Sequence, residues 1–385
     1  MTQFIEGNQI KLLRNGAEYF PELEAAIDNA QYEVYLQTYI YAADVTGIRI
    51  GGALMRAAQR GVIVNVLLDG FGCKELSKAY IKELEQAGVQ VMFYRPKVSP
   101  WTFKTRRLRR LHRKVIVVDG MIGFVGGINI IDDNDVPNQI APRVDFAVRI
   151  EGAILVAIVE SVHKLWRRMA WAKIQQVEIG ATKIGLQAPL DVNKLGLKAA
   201  FVTRDNVLHR SDIEKAYLAA IGQAKSEIII ANAYFVPGKR FRQALLAAAA
   251  RGVAVKLLLQ GRKEYFLMFA THAFYSEFLN GGIEIFEYHK SFMHSKVAVV
   301  DNHWATVGSS NIDPFSLLLA HEANVVVQDA AFASELGAEI NASIQGAHHI
   351  TSHDWEHGSK LKHFTSWVAY AFVRVFLGII GYSNE

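Results

Sequence analysis

His112-Arg113-Lys114-Val115-Ile116-Val117-Val118-Asp119 and His294-Ser295-Lys296-Val297-Ala298-Val299-Val300-Asp301 are the two stretches that decide the reading of this chain. After six intervening residues each is followed by a small-residue element ending in Asn, Gly126-Gly127-Ile128-Asn129 and Gly308-Ser309-Ser310-Asn311. Every member of the second set lies 182 positions after its counterpart. One H-x-K triplet is weak evidence of anything, whereas two with the same internal spacing through the Asn are hard to attribute to chance. The β-branched runs Val115–Val118 and Val297–Val300 read as buried strands. Side chains alternate faces along a strand, so His and Lys at i and i+2 point the same way. Each strand start therefore presents an imidazole beside an ammonium, a nucleophile or proton donor next to an anion clamp. Asp119-Gly120 and Asp301-Asn302 are turn dipeptides that lead into a second strand, as in a hairpin.

The repeat extends well beyond the motifs. Ala25–Ala30 matches Ala219–Ala224 as a helix end, and each runs into an apolar strand, Glu33–Tyr41 and Glu227–Phe235. A second helix then ends at Arg60-Gly61 and Arg251-Gly252, where a left-handed helix stop suits glycine. Strands Val62–Leu68 and Val253–Leu259 follow, then a third helix (about 75–87 and 264–280), a strand (Val89–Tyr94 and Ile283–Tyr288) and the motif strand. Alternating strands and helices predict an α/β fold, a mixed sheet with helices on both faces. An acid stands at a matching place after each motif: Asp145 in Val144–Val148 and Glu322 in His321–Val325. A strand acid there can orient an imidazole through its second nitrogen, or pair with Arg149 or Lys296.

With both H-x-K-x-x-x-x-D patterns complete, the chain resembles the phospholipase D superfamily over roughly residues 8–345. Ala231-Asn232-Ala233-Tyr234-Phe235, the run Asp301–Asp313 and the paired Arg-Gly repeats look most like the bacterial cardiolipin synthases, in the shorter form without amino-terminal membrane spans. One departure is Pro314-Phe315-Ser316, where many of those enzymes place an Arg before the Ser. The resemblance implies two pseudo-symmetric α-β-α halves, 1–190 and 191–347, with one active site at their interface, followed by a polar linker and apolar tail at 348–385. It implies His112, Lys114, Asp119, His294, Lys296 and Asp301 as the catalytic set, with Asn129 and Asn311 supporting.

The implied chemistry is metal-free and cofactor-free. One neutral histidine attacks phosphorus and a second, protonated, serves the leaving alkoxide. Two Lys and two Asn side chains hold the non-bridging oxygens. The sequence is symmetric about which histidine does which, and the resemblance makes His112 the nucleophile. By position Asp145 is expected to orient His112 and Glu322 to orient His294. Asp119 and Asp301 are expected to support the structure and the Lys or Asn geometry. The implied substrate is phosphatidylglycerol, with a second phosphatidylglycerol as acceptor and glycerol released. Water as acceptor would make a phospholipase, and a nucleic-acid phosphodiesterase is the rival within the superfamily.

Composition agrees with an acidic partner: the net charge is +5, the hydrophobic content 51%, and Cys73 is the single cysteine, which excludes an intrachain disulfide. The first ten residues carry no apolar core of signal-peptide length, so a cytosol-facing, peripheral membrane location is expected. Arg106, Arg107, Arg109 and Arg110, beside Trp101 and Phe103, suit an anionic membrane surface, although single-stranded nucleic acid or a solvated loop fits them too. Nucleic acid is the less favoured partner because residues 364–382 are almost wholly apolar. That segment is long enough to span a bilayer, but Arg374 at its centre favours docking at the interface or packing as a helix. His348, His349, His353 and His357 have spacing that a metal could use, and a polar linker explains them equally well.

Overall fold

The computed structural model describes residues 2–95, 109–136, 140–173, 196–205, 209–262, 266–357, 368–371 and 375. The first half runs β1 (Ile5–Arg14), α1 (Asn15–Asp28), β2 (Glu33–Thr38), α2 (Val45–Gln59), β3 (Ile63–Asp69), α3 (Lys78–Gln86), β4 (Gln90–Tyr94), β5 (Arg110–Leu111), β6 (Lys114–Val118), β7 (Ile122–Gly126), β8 (Phe146–Gly152) and α4 (Leu155–Lys173). The second begins with β9 (Leu197–Arg204), α5 (Asp212–Gln223), β10 (Glu227–Asn232), α6 (Lys239–Ala250) and β11 (Ala254–Gln260). It continues with α7 (Phe266–His272), α8 (Tyr275–Asn280), β12 (Glu284–Tyr288), β13 (Lys296–Val300), β14 (Trp304–Gly308), α9 (Pro314–Leu318), β15 (Ala320–Gln328) and α10 (Ala330–Gln345). β16 (His348–Ile350) and α11 (Ser352–Glu356) follow.

The strands join in the order β16-β12-β11-β10-β13-β14-β15-β9-β1-β8-β7-β6-β2-β3-β4, with β5 attached to β15. Apart from β16, this order reads the same from either end, so a pseudo-two-fold passes between β1 and β9. In each half the βαβ units pair in parallel, β2–β3–β4 and β10–β11–β12, while the motif hairpins β6–β7 and β13–β14 are antiparallel. Gly61 and Gly252 both sit at φ +88°, the left-handed helix stops that the sequence requires. The expected third helix of the second half is broken into α7 and α8 by a turn at residues 273–274.

Three apolar clusters fill the molecule. Two lie on the outer faces of the halves. The third takes Val115, Val117, Val125 and Val148 from the first half and Val297, Val299, Val325 and Val327 from the second, with side chains of α4 and α10. β14 and β15 pack against β7 and β8 across this shared core. The two halves are therefore bound by hydrophobic burial, and the starts of the two motif strands, which are interior strands of the sheet, come near each other.

Residues 348–356 depart from the expected polar linker. His348–Ile350 add β16 antiparallel to β12, and Trp355 of α11 is buried. An apolar anchor every few residues keeps this segment on the sheet edge despite its histidines. Of the apolar tail only 368–371 and 375 are described; Ala369 is buried and Tyr370 packs edge-on against Phe274. Among the described residues no helix is long and apolar enough to cross a membrane. The expected boundary at 190/191 falls outside the described residues, as do Arg106 and Arg107.

Candidate active site

His112 and His294 each stand two residues before a buried lysine at the start of a motif strand, and each imidazole keeps 15% exposure. Lys114 and Lys296 are almost fully buried. Their ammonium groups turn back onto the chain: Lys114 Nζ donates to the His112 carbonyl at 2.7 Å and Lys296 Nζ to the His294 carbonyl. Lys114 also lies 5.4 Å from the centre of the Tyr39 ring, and that ring rests against His112 at 4.7 Å. On the other side His294 stacks near Phe292, whose ring carries the Arg143 guanidinium.

The acids are exchanged between the halves, contrary to the pairing expected by position. Glu322 Oε1 lies 2.9 Å from His112 Nδ1, and Asp145 Oδ2 lies 2.6 Å from His294 Nδ1. The backbone explains the exchange. The segment before each motif strand is pinned to the acid-bearing segment of the other half. β5 runs parallel to the start of β15, and His112 N donates to the His321 carbonyl at 3.0 Å. Met293 bridges to Val144, and His294 N donates to the Val144 carbonyl at 2.8 Å. Each histidine is thus hung one residue from the acid of the opposite half. The two acids are nonetheless equivalent, because Gly126 opposes Ala147 and Gly308 opposes Asn324, each two residues beyond its acid.

Their supports differ. Asp145 receives its neighbour Phe146 N at 2.9 Å, and a Cβ on Gly127 would sit 2.2 Å from its Oδ1. The counterpart of Gly127 is Ser309, whose hydroxyl donates to Glu322 Oε2. Asn15 fixes the other edge of the Asp145 segment by accepting Asp145 N at 3.0 Å.

Asp119 and Asp301 are not at this site. Seven residue steps of extended chain separate each from its histidine, about 23 Å. Asp119 accepts the N–H groups of Gln31, Tyr32 and Glu33 at 2.8–2.9 Å. Asp301 accepts those of Lys225, Ser226 and Glu227 at 2.8–3.0 Å. Both Asp residues lie at φ +51°, in hairpin turns where Asp is tolerated. They cap the start of the neighbouring strand and touch neither a motif lysine nor an asparagine.

Asn129 Oδ1 accepts Ile40 N at 3.1 Å. Asn311 is buried, its Nδ2 reaching Ser316 Oγ at 3.5 Å while its Oδ1 has no partner among the described residues. Ser316 therefore stays beside the motif asparagine, although Pro314 and Phe315 replace the expected pattern. Arg109 and Arg110 are half-buried, and Arg110 lies over the Phe71 ring. His348 and His349 sit on β16, with His353 and His357 on and just after α11; among the described residues no cluster of three or more His, Cys, Asp or Glu could hold a metal.

Burial works against positive charge here. Desolvation pulls Lys114 down to about 7 and Lys296 to about 8. It also lowers His112, against the pull of Glu322, and drives His294 well below its usual range with help from Lys296 and Lys114. Asp145 is raised to about 6 by burial. Two imidazoles and two ammonium groups share one desolvated space with two carboxylates, and the arrangement suits the arrival of an anion.

Sequence reasoning missed Tyr39, Arg143, Phe292 and Ser309. Only Ser309 carried a signal, as the polar residue in the small-residue element of the second motif.

A family model described as the cardiolipin synthase, PLD-like domain matches residues 23–152 and 217–344. Cardiolipin synthase B of Escherichia coli K12 is 40% identical over 350 residues, 88% of this chain and 81% of that one. A probable cardiolipin synthase of Bacillus subtilis is 31% identical, covering 88% of this chain and 66% of its own length. Among solved structures, phosphatidylserine synthase of Haemophilus influenzae superposes with a TM-score of 0.68 at 15% identity, over 98% of this chain and 95% of that one. Polyphosphate kinase of Porphyromonas gingivalis superposes at 0.58 and 13% identity, over 95% and 53%. Those two likenesses concern the fold alone. By the family model and the curated relatives, the chain belongs to the cardiolipin synthases with a PLD-like domain.

Proposed function

We propose that the protein is a phosphatidyltransferase that makes cardiolipin from two molecules of phosphatidylglycerol through a phosphatidyl-histidine. The observation that supports this most is the pair of acid-backed imidazoles from two halves, set beside two desolvated lysines. His112, with Nδ1 held by Glu322, offers Nε2 to phosphorus. The bond to the glycerol oxygen breaks, and His294 protonates that oxygen as it leaves. His294 then takes the proton from the hydroxyl of the second phosphatidylglycerol, which attacks the phosphatidyl-histidine and frees His112.

Lys114 and Lys296 hold the non-bridging oxygens, with the buried Asn129 and Asn311 in support. Burial beside the lysines disfavours the protonated form of both imidazoles. The phosphodiester anion compensates the lysine charges, which lets His294 gain the proton it must donate. A peripheral position on an anionic leaflet, through the basic segment around Arg110 and the apolar tail, places the site against its lipid.

Labelled phosphatidylglycerol in mixed micelles tests the proposal. Cardiolipin and free glycerol should form in equal amounts, and His112→Ala and His294→Ala should each abolish both. Phosphatidic acid as the main product would make the protein a hydrolase instead.

A further inference from the structure

Arg113 stands between His112 and Lys114, and strand alternation sends it to the opposite face, with Val115 and Val117 toward α4. There it is 4% exposed, its Nε donating to Gln37 Oε1 at 2.8 Å and its terminal nitrogens to Ser161 Oγ and O at 2.8 and 3.2 Å. All of these acceptors are neutral. No ion pair closes on the guanidinium among the described residues; burial works against its charge, and Asp205 on the cavity wall supplies the main electrostatic compensation. The corresponding residue of the second half is Ser295, so this is not a requirement of the fold. Burying an unneutralised charge is costly unless something compensates it.

Arg113 borders a cavity of about 370 Å³ between α4 and the β9 and β15 strands. Its inner wall includes His321, 7% exposed, which faces away from the adjoining Glu322. Arg204 contributes a second buried guanidinium to the wall, and Lys164 and Arg168 reach it from the exposed side of α4. Four permanent cations thus face two carboxylates, Glu160 and Asp205. The space equals the liquid volume of roughly a dozen waters, room for a phosphate with a glycerol attached.

We infer that this cavity, on the reverse face of the His112 strand, is a second anion site for a phosphate monoester or diester of glycerophosphate size. Arg113 and His321 form its floor, and Lys164 and Arg168 form its rim. Charge selects an anion, and the volume admits one as large as a glycerophosphate. The source is either a soluble phosphate ester or the headgroup of an anionic lipid.

Calorimetric titration of the full chain tests this. In a Lys114→Met, Lys296→Met background, which removes the grip of the active site on phosphate, the reverse-face site should still bind one equivalent. The companion variant Lys164→Glu, Arg168→Glu alters only surface side chains and should weaken that equivalent at least tenfold. Titrating inorganic phosphate and sn-glycerol 3-phosphate against monomeric dihexanoylphosphatidylglycerol separates the sources. Binding of the small esters marks a soluble ligand, and binding of the lipid alone marks a headgroup. Loss of all binding in the Lys114→Met, Lys296→Met protein would overturn the inference, as would unchanged binding after the rim charges are reversed.

Discussion

Glu322→Gln tests the exchanged acids directly. The substitution keeps the size of the side chain and removes its charge, while Ser309 can still hydrogen-bond the far amide group. When His112 bonds to phosphorus its ring becomes cationic, and Glu322, 2.9 Å from Nδ1, is the group that stabilises that charge. With charge centres about 4 Å apart and an effective dielectric near 20, the attraction is worth about 4 kcal/mol. That corresponds to roughly three decades in the rate of attack. Rapid-quench measurement of the covalent lipid–protein adduct should therefore show formation slowed by about 10³-fold. Asp145→Asn acts on the other histidine, so its cost should depend on the leaving group. With a phosphatidyl ester of p-nitrophenol, whose anion departs unprotonated, Asp145→Asn should recover most of its adduct-formation rate while Glu322→Gln should not. The opposite pattern, with Glu322→Gln rescued and Asp145→Asn still slow, would refute the role assignment. A cost below tenfold for Glu322→Gln would refute the electrostatic reasoning itself.

Four further outcomes are expected. Asp119→Ala and Asp301→Ala each strip three backbone N–H groups of their acceptor; urea melts should show a loss of about 2–4 kcal/mol, with kcat at 20 °C close to wild type. Gly127→Ala places a Cβ 2.2 Å from Asp145 Oδ1 and should reproduce the Asp145→Asn defect, whereas Gly222→Ala, with open space around it, should leave activity unchanged. Lys114 falls from its ordinary 10.5 to about 7 on folding, so its charge opposes folding fully below about pH 7, less as pH rises, and not at all above 10.5. Lys114→Met should therefore raise Tm at pH 7 in thermal scans, by an amount that fades toward pH 10.5, while abolishing turnover. Deleting the chain from Phe364 should weaken co-sedimentation with anionic vesicles at high salt, where screening leaves the apolar contribution; equal binding by both forms would assign attachment to the basic segment alone.

The duplicated motif made the fold legible because spacing and strand period are local properties. Val115–Val118 and Val297–Val300 could only be buried strands, and the turn dipeptides after them could only be hairpins. Gly61 and Gly252 marked two helix ends that the structure confirms at the same backbone angle. The partner of each histidine was not legible, since sequence proximity favoured Asp145 for His112 and nothing local records that β5 pairs with β15. Such pairing depends on how two halves close over a shared core, a long-range property. Asp119 and Asp301 support the structure as expected, but not the Lys or Asn geometry, because the motif spans about 23 Å of strand and its last member works at the other end. The histidines after residue 347 suggested a linker by composition, whereas buried Ile350 and Trp355 hold the segment to the sheet.

The exchange of acids also bears on why the two halves remain in one chain. Each half carries its own His and Lys, yet the carboxylate that fixes each imidazole comes from the other half. The backbone bonds that hang the histidines, His112 N to the His321 carbonyl and His294 N to the Val144 carbonyl, also cross the interface. A separated half would therefore lose both the counter-charge and the placement of its histidine, and its buried lysine would keep the desolvation penalty without the opposite carboxylate. The shared apolar core makes such separation costly in any case, because valines of both halves would be exposed together. Stability and chemistry thus depend on the same interface. The differences between the halves also gather there: Arg113 against Ser295, Gly127 against Ser309, Asp145 against Glu322. A symmetric site would give its two histidines the same proton affinity, whereas transfer needs one to attack while the other donates. The asymmetry lies in the groups behind the imidazoles, and the H-x-K pairs themselves are left unchanged.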